Sequence, residues 1–155
     1  NVAYKGFDLV SNFYGSFGND IYNSGKSDLY SGASGTNVYK DAYDKAWRGE
    51  GTTNKYPRLS VNDANLNYRT VSSFFVENGS FLRCKLLQLG YTFPKEWTKS
   101  CELRLSVSAQ NLFTITNYSG MDPERAALGG VLEAGIDNFG YPNPRTFLFG
   151  VNINF

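Results

Sequence analysis

Alternation of apolar and polar side chains at the end of the chain constrains its fold more than any other feature. Across residues 146–155 the odd positions are Phe147, Phe149, Val151, Ile153 and Phe155. The even positions are Thr146, Leu148, Gly150, Asn152 and Asn154. A period of two assigns each set to one face of an extended strand. One face is wholly apolar, and the other is small or polar apart from Leu148. Residues 101–113 repeat the design, with Cys101, Leu103, Leu105, Val107 and Ala109 set against Glu102, Arg104, Ser106, Ser108 and Gln110.

Two earlier stretches carry the pattern less cleanly. Residues 81–93 place Leu87, Leu89, Tyr91 and Phe93 on one face, and Cys84, Leu86, Gln88, Gly90 and Thr92 on the other. Residues 3–17 alternate Phe7, Leu9, Phe13 and Phe17 against Asp8, Asn12 and Ser16, with Val10 and Tyr14 blurring the second face. Four strands are therefore expected, at about 3–17, 80–93, 101–116 and 145–155. Of the connections, 94–100 is a short turn holding Pro94 and Trp97. Residues 18–79 and 117–144 are long and rich in Gly, Asn, Asp and Tyr. Long irregular connections are uncommon in compact domains and usually serve a function.

Apolar runs nowhere approach the roughly 18 residues that mark a membrane-spanning helix. A closed barrel also satisfies every backbone polar group in lipid, and its alternating strands need only about 9–11 residues. The same strands would suit a soluble β-sandwich that turns its apolar faces inward, as in a carbohydrate- or protein-binding module. Long connections at one end and a short turn at the other match outer-membrane barrels better.

Catalytic and metal-binding chemistry finds little to work with. The chain has no His and only two Cys, which removes the commonest general base and the commonest transition-metal ligand. Cys84 and Cys101 lack zinc-site spacing and fall on opposite faces of their expected strands, which argues against a disulfide. Neither GxxxxGK[ST] nor GxSxG occurs. Asp122 and Glu124 flank Pro123 as a turn would, and Gly15, Gly18 and Asp20 read as small residues where a strand leaves its sheet. A formal net charge of +1 gives no reason to expect a nucleic-acid partner. An enzyme is not expected, nor a cofactor or metal.

The 18–79 connection should carry a short surface helix, capped at Thr36 or Asn37, with Val38, Ala42, Lys45 and Ala46 at helical spacing and a stop at Gly49. Residues 70–76 would extend the strand that follows. Tyr30, Tyr39, Tyr43 and Tyr118 are loop tyrosines suited either to stacking on a ligand or to packing the loops. Tyr91, Phe93 and Trp97 cluster near one strand end, as interfacial aromatics do.

The stretches 80–94 (SFLRCKLLQLGYTFP), 110–124 (QNLFTITNYSGMDPE) and 141–147 (YPNPRTF) with the terminal strand, and, upstream, 5–9 (KGFDL) and 15–20 (GSFGND) form a series. In that order they resemble the C-terminal region of SusC/RagA-type TonB-dependent transporters of Bacteroidetes. The likeness follows family order along nearly the whole chain and is least diagnostic over 25–67. Cys84 stands where the family often has a small or polar residue.

The resemblance implies an all-β, antiparallel transmembrane barrel of about twenty-two strands, of which this chain supplies the last few. It implies location in the bacterial outer membrane and import of bulky nutrients, glycans or peptides. The implied partners are the rest of the barrel, an N-terminal plug, the TonB complex, a SusD-like surface lipoprotein and outer-membrane lipid. Leu87, Leu89, Leu103, Leu105, Val107, Phe147, Phe149, Val151 and Ile153 would face lipid. Phe155 resembles the C-terminal signal read during barrel assembly. If Phe155 marks the periplasmic rim, 94–100 is a periplasmic turn, and 18–79 and 117–144 are extracellular. The chain starts at Asn1 and reads as a mature or truncated product. Plug and TonB-contacting segments lie outside it, so transport by these 155 residues alone is not expected.

Overall fold

The computed structural model describes residues 1–33, 35, 37–53, 55–99, 101–124 and 133–155. They fall into two units. The first comprises Asn1–Gly18, Ser80–Asn117 and Pro142–Phe155, and the second comprises Asn19–Gly79 and Tyr118–Tyr141.

The first unit is one antiparallel sheet in the order β1-β2-β5-β6-β8, formed by β1 (Val2–Tyr4), β2 (Phe7–Ser16), β5 (Phe81–Thr92), β6 (Glu102–Thr116) and β8 (Thr146–Asn154). Residues 3–17, expected as a single strand, are instead a hairpin. Lys5 (φ 46°) and Gly6 (φ 86°) both take left-handed backbone, and Tyr4 pairs with Phe7. Positive φ at both central residues is the signature of a type I′ turn, whose twist suits two antiparallel strands. A side chain at Gly6 would also press within 2.8 Å of the Thr92 carbonyl. The register puts this hairpin turn, the 93–101 connection and Phe155 at one end of the sheet. Gly18, Ser80 and Asn117 lie at the other.

A bulge interrupts β5. Its pairing with β2 runs regularly from Phe7–Tyr91 to Asn12–Leu86, then steps to Phe13–Cys84, so that the register skips Lys85. On the other side, β6 slips between Gln110 and Phe113, where Asn111 adopts φ 50° and donates from Nδ2 to the Pro144 carbonyl at 3.0 Å. An extra residue in one strand reverses the side-chain parity beyond it. Cys84 therefore leaves the face of Leu86, Gln88 and Gly90, where simple alternation put it, and joins the row of Phe13 and Phe113.

The second unit has a small mixed sheet in the order β4-β3-β7, from β3 (Asp20–Asn23), β4 (Val76–Asn78) and β7 (Ile136–Asp137). β3 pairs antiparallel with β4 and parallel with β7. α1 (Ser24–Ser31) begins at Asn23, whose Oδ1 accepts the Lys26 N–H at 2.9 Å, and ends at Gly32 with φ 56°. These are an ordinary N-cap and left-handed stop. α2 (Lys40–Lys45) starts at Tyr39 and ends at Ala46, so the helix expected from residue 36 or 37 starts later and stops short of Gly49. Thr36 lies outside the described residues. Residues 73–75 form a 3₁₀ turn rather than an extension of β5, and Val76–Asn78 pairs with β3. Ile21, Ala42, Tyr68 and Phe75 are fully buried here. Tyr30, Tyr39, Tyr56 and Phe74 contact one another with ring centroids 5.6–6.1 Å apart, each contact worth about 0.5–1.5 kcal/mol beyond area burial. α3 (Lys95–Thr98) occupies the short turn of the first unit.

Candidate functional site

Registered pairing turns the strand pattern into two chemically distinct sheet faces. On one face the cross-strand rows read Phe7–Tyr91–Leu105–Val151, Leu9–Leu89–Val107–Phe149 and Leu87–Ala109–Phe147, with Leu103 beside Ile153. Each such apolar pair contributes about 0.2–1 kcal/mol to sheet stability. The side chains remain accessible: Phe149 is 81% exposed, Val151 63% and Leu89 50%. A soluble sandwich would bury these residues against a second sheet. A contiguous exposed patch of this kind marks a surface meant for an apolar partner or lipid. Beyond the bulge the face continues through Phe13, Cys84 and Phe113, with Phe13 and Phe113 ring centroids 6.3 Å apart.

The opposite face carries Asp8–Gly90–Ser106–Gly150, Val10–Gln88–Ser108–Leu148 and Asn12–Leu86–Gln110–Thr146. Across it the Arg104 guanidinium makes a forked pair with Asp8, Nε to Oδ1 at 3.1 Å and Nη2 to Oδ2 at 2.7 Å. Arg104 belongs to β6 and Asp8 to β2, so the pair crosses β5, and it does so over Gly90. A Cβ at Gly90 would collide with Arg104 Nη2 and Asp8 Oδ1. Past the bulge this face holds Tyr14, Phe81, Arg83 and Thr114. Arg83 Nε donates to Thr114 Oγ1 at 2.8 Å, and Lys85 Nζ sits 4.8 Å above the Tyr14 ring. Charge and aromatic rings thus share the polar side, as in a wet lumen.

At the short-turn end the sequence-selected aromatics form a chain. Ring centroids lie 4.5 Å apart for Phe7–Tyr91, 4.9 Å for Tyr91–Phe93 and 6.2 Å for Phe93–Trp97. Trp97 and Phe155 are both largely exposed.

The second unit gathers a polar cluster that alternation did not reveal. Tyr118 is buried, and its hydroxyl donates to Asp137 Oδ2 at 2.6 Å. Burial, together with the adjoining carboxylate, pushes its phenol well above the ordinary range. Tyr118 is therefore a packing residue and offers no free ring to a ligand. Burial likewise raises Tyr30 and Tyr68 to about 12. Glu77 accepts from Lys26, Asn23 and both the amide and hydroxyl of Ser119. Burial acts to raise the Glu77 carboxyl, but the Ser119 and Lys26 donors outweigh it and hold the group below its usual value. Tyr39 and Tyr43 stay half-exposed, Tyr43 under the Arg48 guanidinium. Asp122 accepts the Glu124 N–H at 3.0 Å in a local turn. Among the described residues no group of three or more His, Cys, Asp or Glu converges as metal ligands would.

Among curated proteins, TonB-dependent receptor P39 of Formosa agariphila is 35% identical over 159 residues, covering 98% of this chain and 15% of that receptor. TonB-dependent receptor SusC of Bacteroides thetaiotaomicron is 30% identical over 166 residues, covering 99% of this chain and 14% of the receptor. Among solved structures, the RagAB peptide transporter matches 99% of this chain with a TM-score of 0.81 and 25% identity, and the RagAB importer in its closed-closed state does the same. In both, the match spans 16% of the solved chain. No family model matches. The chain thus spans about a sixth or less of the relatives' length.

Proposed function

Because the chain belongs to the SusC/RagA-type TonB-dependent receptors of the bacterial outer membrane, we propose that it forms the C-terminal strands of such a receptor's barrel. In this reading β2, β5, β6 and β8 cross the bilayer within a ring of about twenty-two strands, with Leu87, Leu89, Leu103, Leu105, Val107, Phe147, Phe149, Val151 and Ile153 against hydrocarbon. The Asp8–Gly90–Ser106–Gly150 face lines the lumen around a plug contributed by another part of the receptor. β8 pairs with the first strand of the barrel, and Phe155 with the alternating side chains behind it serves as the assembly signal. Tyr91, Phe93 and Trp97 lie at the periplasmic interface, and the two long connections are extracellular.

The whole receptor would then import a bulky nutrient, glycan or peptide, powered through the TonB complex and assisted by a SusD-like lipoprotein. RagAB is described as a peptide transporter, which supports the peptide branch of that class. One observation carries the reading: apart from Ser11, one face of the four registered strands is apolar and exposed, while its reverse mixes charged, polar and small side chains with only Val10, Leu86 and Leu148 as aliphatic ones before the bulge.

A labelling experiment tests it. In full-length receptor with Cys84 and Cys101 replaced by Ser, Val151→Cys and Asn152→Cys are probed in intact outer membranes. A membrane-impermeant maleimide should label position 152 and spare 151, whereas a lipid-soluble probe should reverse that order. Equal labelling of both by the impermeant reagent would overturn the facing assignment.

A further inference from the structure

Glu77 lies in β4, at the end of the first long connection, yet its carboxylate is shared with the second. Oε1 accepts from Lys26 Nζ at 3.1 Å and from Ser119 Oγ at 2.8 Å, and Oε2 accepts from the Ser119 backbone N–H at 2.9 Å. Asn23 Nδ2, at 3.5 Å from Oε1 and 3.4 Å from Ser119 Oγ, closes the ring. Lys26 and Asn23 belong to the first connection and Ser119 to the second, so one side chain ties three segments together. The rest of the junction is apolar or backbone: Ile21 packs against Tyr118, and the Phe139 ring lies on Gly25. β7 is two residues long and meets β3 in parallel, through the Tyr22 N–H donating to the Gly135 carbonyl at 2.8 Å. A strand so short has little stability of its own. Hydrogen bonds to a charged, part-buried acceptor are the stronger kind.

We propose that Glu77 is a clasp that makes the two long connections one cooperative body, so that they order together and release together. The charged and titratable groups that couple to it are Lys26 and Tyr30 from α1, and Tyr118 from the second connection, which carries Asp137 behind it. Tyr118 and Asp137 are occupied with each other, which leaves Lys26 as the cation that balances Glu77. A carboxylate held below its ordinary value in the fold lends stability that is complete above the unfolded glutamate value of about 4.3. That stability is lost as pH falls through the lower folded value. The clasp therefore holds at neutral pH and lets go in acid. This inference rests on contacts inside the loop unit and holds whatever cargo the receptor carries.

Hydrogen exchange on full-length receptor in detergent tests it, with rates corrected for the intrinsic pH dependence of exchange. In E77Q, amides of β3 and of residues 133–141 should both exchange at least about tenfold faster, while β5 and β6 are unchanged. Acidification below about pH 4 should loosen the wild-type unit in the same way and leave E77Q unaltered. S119A removes the hydroxyl donor alone and should loosen both connections less, and E77Q/S119A should be no looser than E77Q. Faster exchange confined to Val76–Asn78, equal acid responses in wild type and E77Q, or additive effects of the two substitutions would each overturn the clasp. If E77Q does not assemble, the wild-type acid response and S119A still decide.

Discussion

Arg104 reaches across the full width of β5 to grip Asp8 in β2, and the pair passes directly over Gly90. The two charged residues stand 96 positions apart in the sequence, so the pair staples strands from the opposite sides of β5. Gly90→Ala should push the guanidinium off the carboxylate. The full-length receptor should then convert from folded to unfolded migration at a lower temperature in semi-native gels. Arg104→Ala should add nothing in the Gly90→Ala background. Independent, additive losses would show that Gly90 does not serve this contact.

Adjacent positions on β6 should differ sharply in tolerance of charge. Leu105→Arg puts a cation on the apolar face and should cost about 2–4 kcal/mol near the bilayer midplane. Ser106→Arg lies on the opposite, polar face and, if that face lines a lumen as proposed, should cost well under about 1 kcal/mol, a surface-like effect. Urea unfolding of the receptor in lipid vesicles reads both. Equal costs would mean the faces are wrongly assigned.

Alkaline titration should find phenols that resist ionisation. Tyr30 and Tyr68 are raised to about 12 by burial, and Tyr118 is raised further by burial and by Asp137. A group whose folded value exceeds its unfolded value of about 10 stabilises the fold fully below the unfolded value. It loses that contribution as pH climbs through the folded one. The loop unit should therefore weaken progressively above about pH 10, seen as late-rising tyrosinate absorbance coincident with proteolytic susceptibility of the connections. Tyr118→Phe strips Asp137 of its shortest hydrogen bond and should destabilise the loop unit by about 1–3 kcal/mol.

The two cysteines should react differently and never with each other. Cys84 is paired with Phe113 in the ladder, twelve positions from Cys101, which puts the sulfurs roughly 40 Å apart at about 3.3 Å per residue. Cys84 is buried and Cys101 only partly so. Maleimide should modify Cys101 in the folded receptor and reach Cys84 only after denaturation. A Cys84–Cys101 cross-link under oxidising conditions would contradict the register.

What could be read from the sequence was whatever repeats with period two. β6 and β8 were legible because each keeps its parity over the bilayer-length stretch that matters. β5 was legible only as far as Leu86, since a one-residue register shift at Lys85 leaves no mark in hydropathy. The Lys5-Gly6 hairpin escaped because lysine is not a usual first residue of a type I′ turn, although Gly6 was a fair signal. α1 had both of its end signals, Asn23 and Gly32, but little apolar periodicity between them. The Glu77 cluster had none, because contacts to Glu77 across 42 to 54 residues are fixed by tertiary placement and not by local pattern.

The irregularity at Lys85 works as a phase shifter within a single strand. Toward the Tyr91 end, odd numbers lie on the apolar face; toward Leu82, even ones do. Swapping this strand between related receptors by aligning hydropathy alone would rotate half of it inside out. Any graft has to carry Lys85 together with the Asn111 kink that answers it.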